Sequence, residues 1–330
     1  MRGAFITRTG PADQIEVGSL PDPVPGPREA LVRVRACAVN PIDTYVRGGA
    51  VAFPLPVPFI VGCDLAGEVI SVGKEVGTLR PGMRVWGSNQ GLLGRQGTFA
   101  ELAAVDERWL YPTPDSVSDR DAAAAALVSI TAHLGLVTHA ALRPGEVLLV
   151  NGASGGVGSA VVQVARALGA RVIGTAGTEE KRARTKRLGA EQVFDYRRDD
   201  LVEAARASAP EGIDVYWETQ REPQFDRAVA LLADGGRIVL MAGRDARTPF
   251  PVGPFYLKGC RMVGFAMFKA DWRSQAAAAI DINRWMAEGR LRVPIDRVLP
   301  LDKTALAHTL QESATVARTG TLDGKIVIEP

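Results

Sequence analysis

Cysteine is scarce in this 330-residue chain: Cys37, Cys63 and Cys260 are the only three. That number excludes a disulfide framework and the four-cysteine cluster of a structural zinc site. The three histidines, His133, His139 and His308, have no metal-ligand spacing, and solvated or capped side chains are expected. No uninterrupted apolar run is long enough to span a bilayer, and the opening MRGAFITRTG lacks the apolar core of a secretion signal. A net charge of only +2 argues against nucleic acid as a partner. No G-x-S-x-G elbow is present, which removes the commonest serine hydrolase signature. Repeats and low-complexity tracts are missing too. A soluble, reduced, cytoplasmic protein is expected, and the length suffices for two domains of ordinary size.

What is present is concentrated in Val147 to Thr178, VLLVNGASGGVGSAVVQVARALGARVIGTAGT. Val147 to Val150 is a short apolar run of the type buried on both faces of a parallel sheet. Gly152, Gly155, Gly156 and Gly158 follow, and Val157, Val161, Val164, Ala165 and Leu168 then recur at helical spacing up to Gly169. Arg171 to Gly174 reads as a second strand. Strand, glycine turn, helix and strand in this order form a βαβ unit that seats a dinucleotide pyrophosphate on the helix N-terminus.

An NAD site usually carries an acid at the end of the second strand, bonding the ribose 2′-OH. Here Gly174 to Thr178 contain no carboxylate before Glu179, and Lys181, Arg182 and Tyr196 follow. Missing acid and nearby cations favour a 2′-phosphate, hence NADPH. Around this unit the chain changes character. Residues 1 to about 120 show short strand-like runs between Pro and Gly clusters: Ala4–Thr7, Ile15–Gly18, Ala30–Ala38, Ala66–Val72 and Arg84–Trp86. They suggest a mostly antiparallel β domain. An alanine-rich helix begins near Asp119, with Ser118 or Asp119 as cap, and runs toward His139. The centre alternates strand and helix, adding strands at Gln192–Asp195, Ile213–Glu218, Arg237–Ala242 and Arg261–Met267, which is the rhythm of a doubly wound sheet. The tail, Trp272 to Pro330, predicts two helices and a closing strand at Lys325–Ile328.

VNPIDTYVRGG (Val39 to Gly49), VGCDLAGEVISVG (Val61 to Gly73), NGASGGVG (Asn151 to Gly158), GTAGTEE (Gly174 to Glu180) and GKIVI (Gly324 to Ile328) run almost from end to end of the chain. Together they resemble the zinc-free quinone oxidoreductase, or zeta-crystallin, branch of the medium-chain dehydrogenase/reductase superfamily. The resemblance implies an α/β protein: a discontinuous, GroES-like, mostly-β catalytic domain (1–122 and 267–330) around a doubly wound Rossmann domain (123–266). It also implies NADPH and substrate in a cleft between the domains, and a homodimer formed by extending the central sheet near Arg261 to Phe265. Asn40, Asp43 and Tyr45 would lie in the substrate cleft. Thr131, Ser154, Gly155, Gly156 and Val157 would meet the nicotinamide or pyrophosphate, and Thr178, Lys181 and Tyr196 the 2′-phosphate. Gly243, Phe265, Met267 and Arg318 would line the rest of the cofactor.

Zinc is the competing reading, since many superfamily members use it. Zinc-dependent relatives resemble this chain with a cysteine at Asn40 and a His-Glu pair at Cys63-Asp64, so no metal is expected here. Without zinc, positioning and hydrogen bonds to developing charge remain. Tyr45 and Asn40 are expected to donate to the substrate oxygen, whereas Asp43 is expected to orient its neighbours rather than donate a proton, since an ionised carboxylate only accepts. The substrate is expected to be a small quinone. An activated alkene (enone, enal or acrylate type) is the alternative, and a non-catalytic NADPH-binding role the second.

Overall fold

A computed structural model describes residues 1–197, 200–317 and 319–330, and its backbone divides into two compact units. One comprises Met1–Leu127, Asp271–Gly289 and Val293–Pro330; the other comprises Val128–Ala270 and Arg290–Arg292. The divisions follow Leu127 and Ala270, a few residues beyond the expected 122 and 266.

The first unit begins with β1 (Arg2–Ile6), β2 (Glu16–Ser19), β3 (Glu29–Ala38) and the seven-residue helix α1 (Pro41–Arg47). β4 (Phe59–Ile60), β5 (Leu65–Val72), β6 (Arg84–Gly87), β7 (Leu102–Asp106) and β8 (Leu110–Pro112) follow. β3 organises this unit because its side chains alternate: Ala30, Val32, Val34 and Ala36 are buried while Arg33 and Arg35 face solvent. Next comes α2 (Asp119–His133), extended by a π-helical turn at Leu134–His139. Ser118 is its cap, its hydroxyl accepting the Asp121 N–H at 3.1 Å. The run Asp119–His139 is apolar and long enough to cross a membrane, but 78% of its most apolar window is buried inside the protein, as in a core helix.

The second unit alternates β9 (Val147–Asn151), α3 (Gly156–Ala167), β10 (Arg171–Thr175), α4 (Glu179–Leu188) and β11 (Gln192–Phe194). It continues with α5 (Leu201–Ser208), β12 (Ile213–Glu218), α6 (Phe225–Leu231), β13 (Leu232–Leu240), α7 (Val252–Leu257) and β14 (Arg261–Gly264). All six strands pair in parallel in the order β11-β10-β9-β12-β13-β14, the doubly wound arrangement expected. β14 stops at Gly264, short of Met267, which sits in a 3-10 turn.

The chain then returns to the first unit as α8 (Trp272–Ala287), β15 (Ile295–Pro300), α9 (Thr304–Glu312) and β16 (Lys325–Glu329). β16 joins the end of β3, completing a sheet ordered β15-β16-β3-β5-β6-β8 with β7 also on β3. β15 is not among the strands expected from the sequence, because IDRVLP is half exposed and ends in proline; parallel pairing with β16 makes it a strand.

Candidate functional site

In the second unit the glycine turn joins β9 to α3. Gly152 has φ 88°, and a Cβ there would stand 2.1 Å from Thr219 Oγ1. A Cβ on Gly158 would stand 2.1 Å from the Gly152 carbonyl oxygen, so the helix can approach the turn only without a side chain. Between them Ser154, Gly155, Gly156 and Val157 are not buried, and Gly155 is open to solvent at the N-terminus of α3. The first N–H groups of α3 have no partner within the helix and open onto this glycine turn, an arrangement that fits a dinucleotide pyrophosphate. Beneath it Asn151 and Glu218 fix the turn. Asn151 Nδ2 donates to both Glu218 oxygens at 3.0 and 3.1 Å, and Thr175 Oγ1 donates to Asn151 Oδ1 at 2.8 Å. Burial pushes the Glu218 carboxyl up to about 7.

At the end of β10, Thr178 caps α4 by accepting the Lys181 N–H at 3.3 Å. Tyr196 covers Gly177, where a Cβ would stand 3.0 Å from the ring, and the Arg197 guanidinium lies 5.7 Å from the ring centre. Thr178, Lys181 and Tyr196 therefore fall on one patch, together with Arg182 and Arg197. Asp195, between the two arginines, is neutralised: it accepts from Arg182 at 3.1 Å and from Arg197 at 2.7 Å, and hydrogen bonds from Arg197 hold its carboxyl below the usual range. Arg197 is absent from the residues expected at this site, although its charge is plain in the sequence.

Gly243 follows β13 with φ 81°, and Phe265 follows β14, so both lie at the same carboxyl edge of the sheet as the turn. Phe265 stacks on His139 at 4.7 Å and meets Trp217 edge-on at 6.1 Å. His139 is solvent-exposed, as expected, and is a ring partner of Phe265 as well. Thr131 and Met267 are buried in this unit. Arg318 lies outside the described residues.

In the first unit Asn40 is the N-cap residue of α1, whose first turn carries Asp43. Asn40 N–H donates to Asp43 Oδ2 at 2.7 Å, half of a capping box. The Asn40 amide is used up: Nδ2 donates to Ala38 O at 3.2 Å and to Asp64 Oδ2 at 2.7 Å, and Oδ1 accepts from Lys325 Nζ. This corrects the expectation that Asn40 donates to a substrate oxygen, since no amide hydrogen remains for it. Ser88 Oγ donates to Asp64 Oδ1 at 2.6 Å. Asp43 Oδ1, by contrast, is buried with no hydrogen-bond partner among the described residues. Burial pushes its carboxyl up to about 7; the neighbouring Cys63 thiol, a weak donor, offsets only part of this and the Asp64 charge adds to it. An Asp43 that holds a proton near neutral pH can donate it, which the assumption of an ionised carboxylate had excluded. Tyr45 is half-buried two residues further, about 200° around the helix from Asp43, and forms no hydrogen bond with Asn40 or Asp43.

Zinc does not fit this cluster. The Asn40 oxygen and the Asp64 carboxylate are already bonded, the Lys325 ammonium stands 3.9 Å from Asp64 Oδ2, and burial keeps the Cys63 thiol protonated. Among the described residues no group of three or more His, Cys, Asp or Glu could hold a metal ion.

Residues 26–115 match the alcohol dehydrogenase GroES-like domain, and residues 156–281 match the zinc-binding dehydrogenase domain. The pig (Sus scrofa) quinone oxidoreductase is 35% identical over 289 residues, covering 87% of this chain and 86% of that protein. The chain belongs to the quinone oxidoreductase branch of the medium-chain dehydrogenase/reductase superfamily. Membership in this branch makes the protein an oxidoreductase with a GroES-like and a Rossmann domain. Among solved structures, an NAD-dependent alcohol dehydrogenase superposes with a TM-score of 0.91 at 31% identity, covering 100% of both chains. A mycobacterial protein solved with NADPH superposes with a TM-score of 0.84 at 27% identity, again covering 100% of both. A quinone oxidoreductase of this architecture binds a nicotinamide dinucleotide, and the glycine cradle is built for one.

Proposed function

We propose that the protein is an NADPH-dependent, metal-independent reductase of quinones. The observation that carries this reading is the patch at the end of β10, where Thr178, Lys181, Arg182, Tyr196 and Arg197 gather beside the glycine turn and the two arginines neutralise Asp195. A 2′-phosphate has cations to meet there, whereas the usual acid for a ribose 2′-OH is missing from the strand end. Ser154 to Val157 would hold the pyrophosphate, with Thr131, Gly243, Phe265 and Met267 lining the remainder. The quinone assignment is supported by the relationship to quinone oxidoreductases.

When bound, the reduced nicotinamide supplies a hydride. The first unit's part is the proton. The hydroquinone anion that reduction would leave needs one proton, which the buried Asp43 would release by way of solvent rather than by direct contact, giving the neutral hydroquinone and a carboxylate that is reprotonated from water. Asn40 holds Asp43 through its backbone N–H rather than contacting substrate, and Tyr45 is the remaining donor to a substrate oxygen. Metal independence rests on the donor set, in which the polar atoms a cation would need are taken by hydrogen bonds and an ammonium. We also propose a homodimer formed along β14: this strand ends the sheet, and the nearby Val252, Tyr256 and Leu257 of α7 are exposed.

The test is NADPH consumption by the purified protein against matched small quinones and α,β-unsaturated carbonyl compounds, with NADH as control. Fast turnover of quinones with NADPH is expected. Preference for alkenes would move the assignment to ene-reduction, and tight NADPH binding without any turnover would leave a binding protein.

A further inference from the structure

Lys325 opens β16, and its side chain is only 5% exposed. A buried ammonium forfeits hydration worth several kcal/mol unless protein groups replace it. Here Nζ donates to Val39 O at 2.7 Å and to Asn40 Oδ1, with Asp64 Oδ2 at 3.9 Å. Strand pairing aims it there: Val327 stands opposite Ala38, Ile328 opposite Cys37, and Val39 N–H donates to Ile326 O at 2.9 Å. The register carries Lys325 to the end of β3 where α1 begins.

Asn40 then joins the two carboxyls. Its amide oxygen takes the ammonium, its Nδ2 binds Asp64, and its backbone N–H binds Asp43. The titratable groups facing Asp43 are Cys37 on β3, Cys63 and Asp64 before β5, and Lys325 on β16. Among these described residues Lys325 is the single cation; ionised thiols or the Asp64 carboxylate would all push a proton onto Asp43.

We propose that Lys325 is the resident cation of this cluster, a positioning residue that locks the Asn40 amide against Asp64 and whose charge favours release of the Asp43 proton against the burial that holds it. The proposal builds on the reading of Asp43 as proton donor. An ordinary buried structural lysine would hold the strand ends together without governing Asp43.

The experiment tracks the carboxyl resonance of Asp43 in protein labelled with carbon-13 aspartate, assigned by its loss in Asp43→Asn, across a pH series. It reads whether or not quinones are turned over, so failure of the substrate assignment and failure of this proposal are separable. In Lys325→Met, which keeps the apolar stem, the Asp43 midpoint is expected to rise by about one pH unit or more. In Asp64→Asn, which leaves the ammonium unopposed, it is expected to fall by a similar amount. In the double variant the two effects offset, and the midpoint is expected to return to within about half a unit of the parent value. The NADPH dissociation constant is expected to stay within about twofold in all three, because the glycine turn lies in the other unit. An Asp43 midpoint that does not move in Lys325→Met overturns the proposal. Should that variant fail to fold, an unmoved midpoint in Asp64→Asn overturns it equally.

Discussion

At the scale of single residues, the proposed preference for NADPH rests on a few side chains at the end of β10. Lys181 carries one of the charges there, and its backbone N–H is held by the Thr178 cap. Replacing Lys181 by Ala removes a half-exposed charge, so the expected loss is about tenfold in NADPH affinity, roughly 1.4 kcal/mol. NADH, lacking the 2′-phosphate, should change by less than about twofold. Fluorescence titration with both nucleotides checks this, and equal losses for the two would remove the 2′-phosphate assignment. The grouping of Lys181 and Tyr196 beside the end of β10 was legible because the segment there lacks the usual acid and offers a cation and a phenol instead; their hold on a 2′-phosphate is the proposal that this titration tests. Lys325 was not: a lysine at the start of a strand reads as solvated, and its burial depends on pairing with β3, whose residues lie nearly the whole chain away. The fully used amide of Asn40 was invisible for the same reason, since two of its partners, Asp64 and Lys325, are distant in sequence.

At the scale of elements, the glycine turn was legible because four glycines between an apolar strand and an apolar helix admit few other arrangements. Helix α1 was not, because seven residues opening with proline carry too little periodicity to register. Tertiary contacts hold it in place. Arg47, its last residue, is 1% exposed; it donates to Gly10 O and pairs with Glu312 on α9, whose side chain is 35% exposed. Removing one partner strands a buried guanidinium, which costs more than the pair contributes. Glu312→Gln is therefore expected to lower the unfolding free energy by about 2 kcal/mol, with allowance for the exposed carboxylate. Arg47→Met in the same background should recover part of that loss, since no charge is then left buried. Urea denaturation of the single and double variants measures both, and a double variant less stable than Glu312→Gln by the full Arg47→Met cost would mean that the two residues do not act as a pair.

Across the whole molecule, buried titratable groups pull stability in opposite directions as pH changes. Burial raises Asp43 and Glu218 to about 7, so the folded protein keeps protons that the unfolded chain has released, and their contribution is lost as pH rises from about 4 toward 7. His308 does the reverse. It is completely buried, neither ring nitrogen has a partner among the described residues, and Phe99 meets it edge-on at 6.2 Å. Burial first, and the Arg47 charge second, lower it to about 3. Between about 6.5 and 3 the unfolded chain therefore takes up a proton at His308 that the folded chain refuses, and stability falls with pH. The sequence showed a histidine on a helical face and could not show that the face is dry. His308→Leu removes this one contribution and leaves the carboxyls in place. The difference in unfolding free energy between the parent and His308→Leu should change in favour of the variant by about 2 kcal/mol on going from pH 6.5 to 5, since each pH unit is worth roughly 1.4 kcal/mol. Denaturant unfolding of both proteins at the two pH values gives that difference directly. A difference that stays constant with pH would show that His308 is protonated in the folded protein, and with it that water or an acceptor reaches the ring.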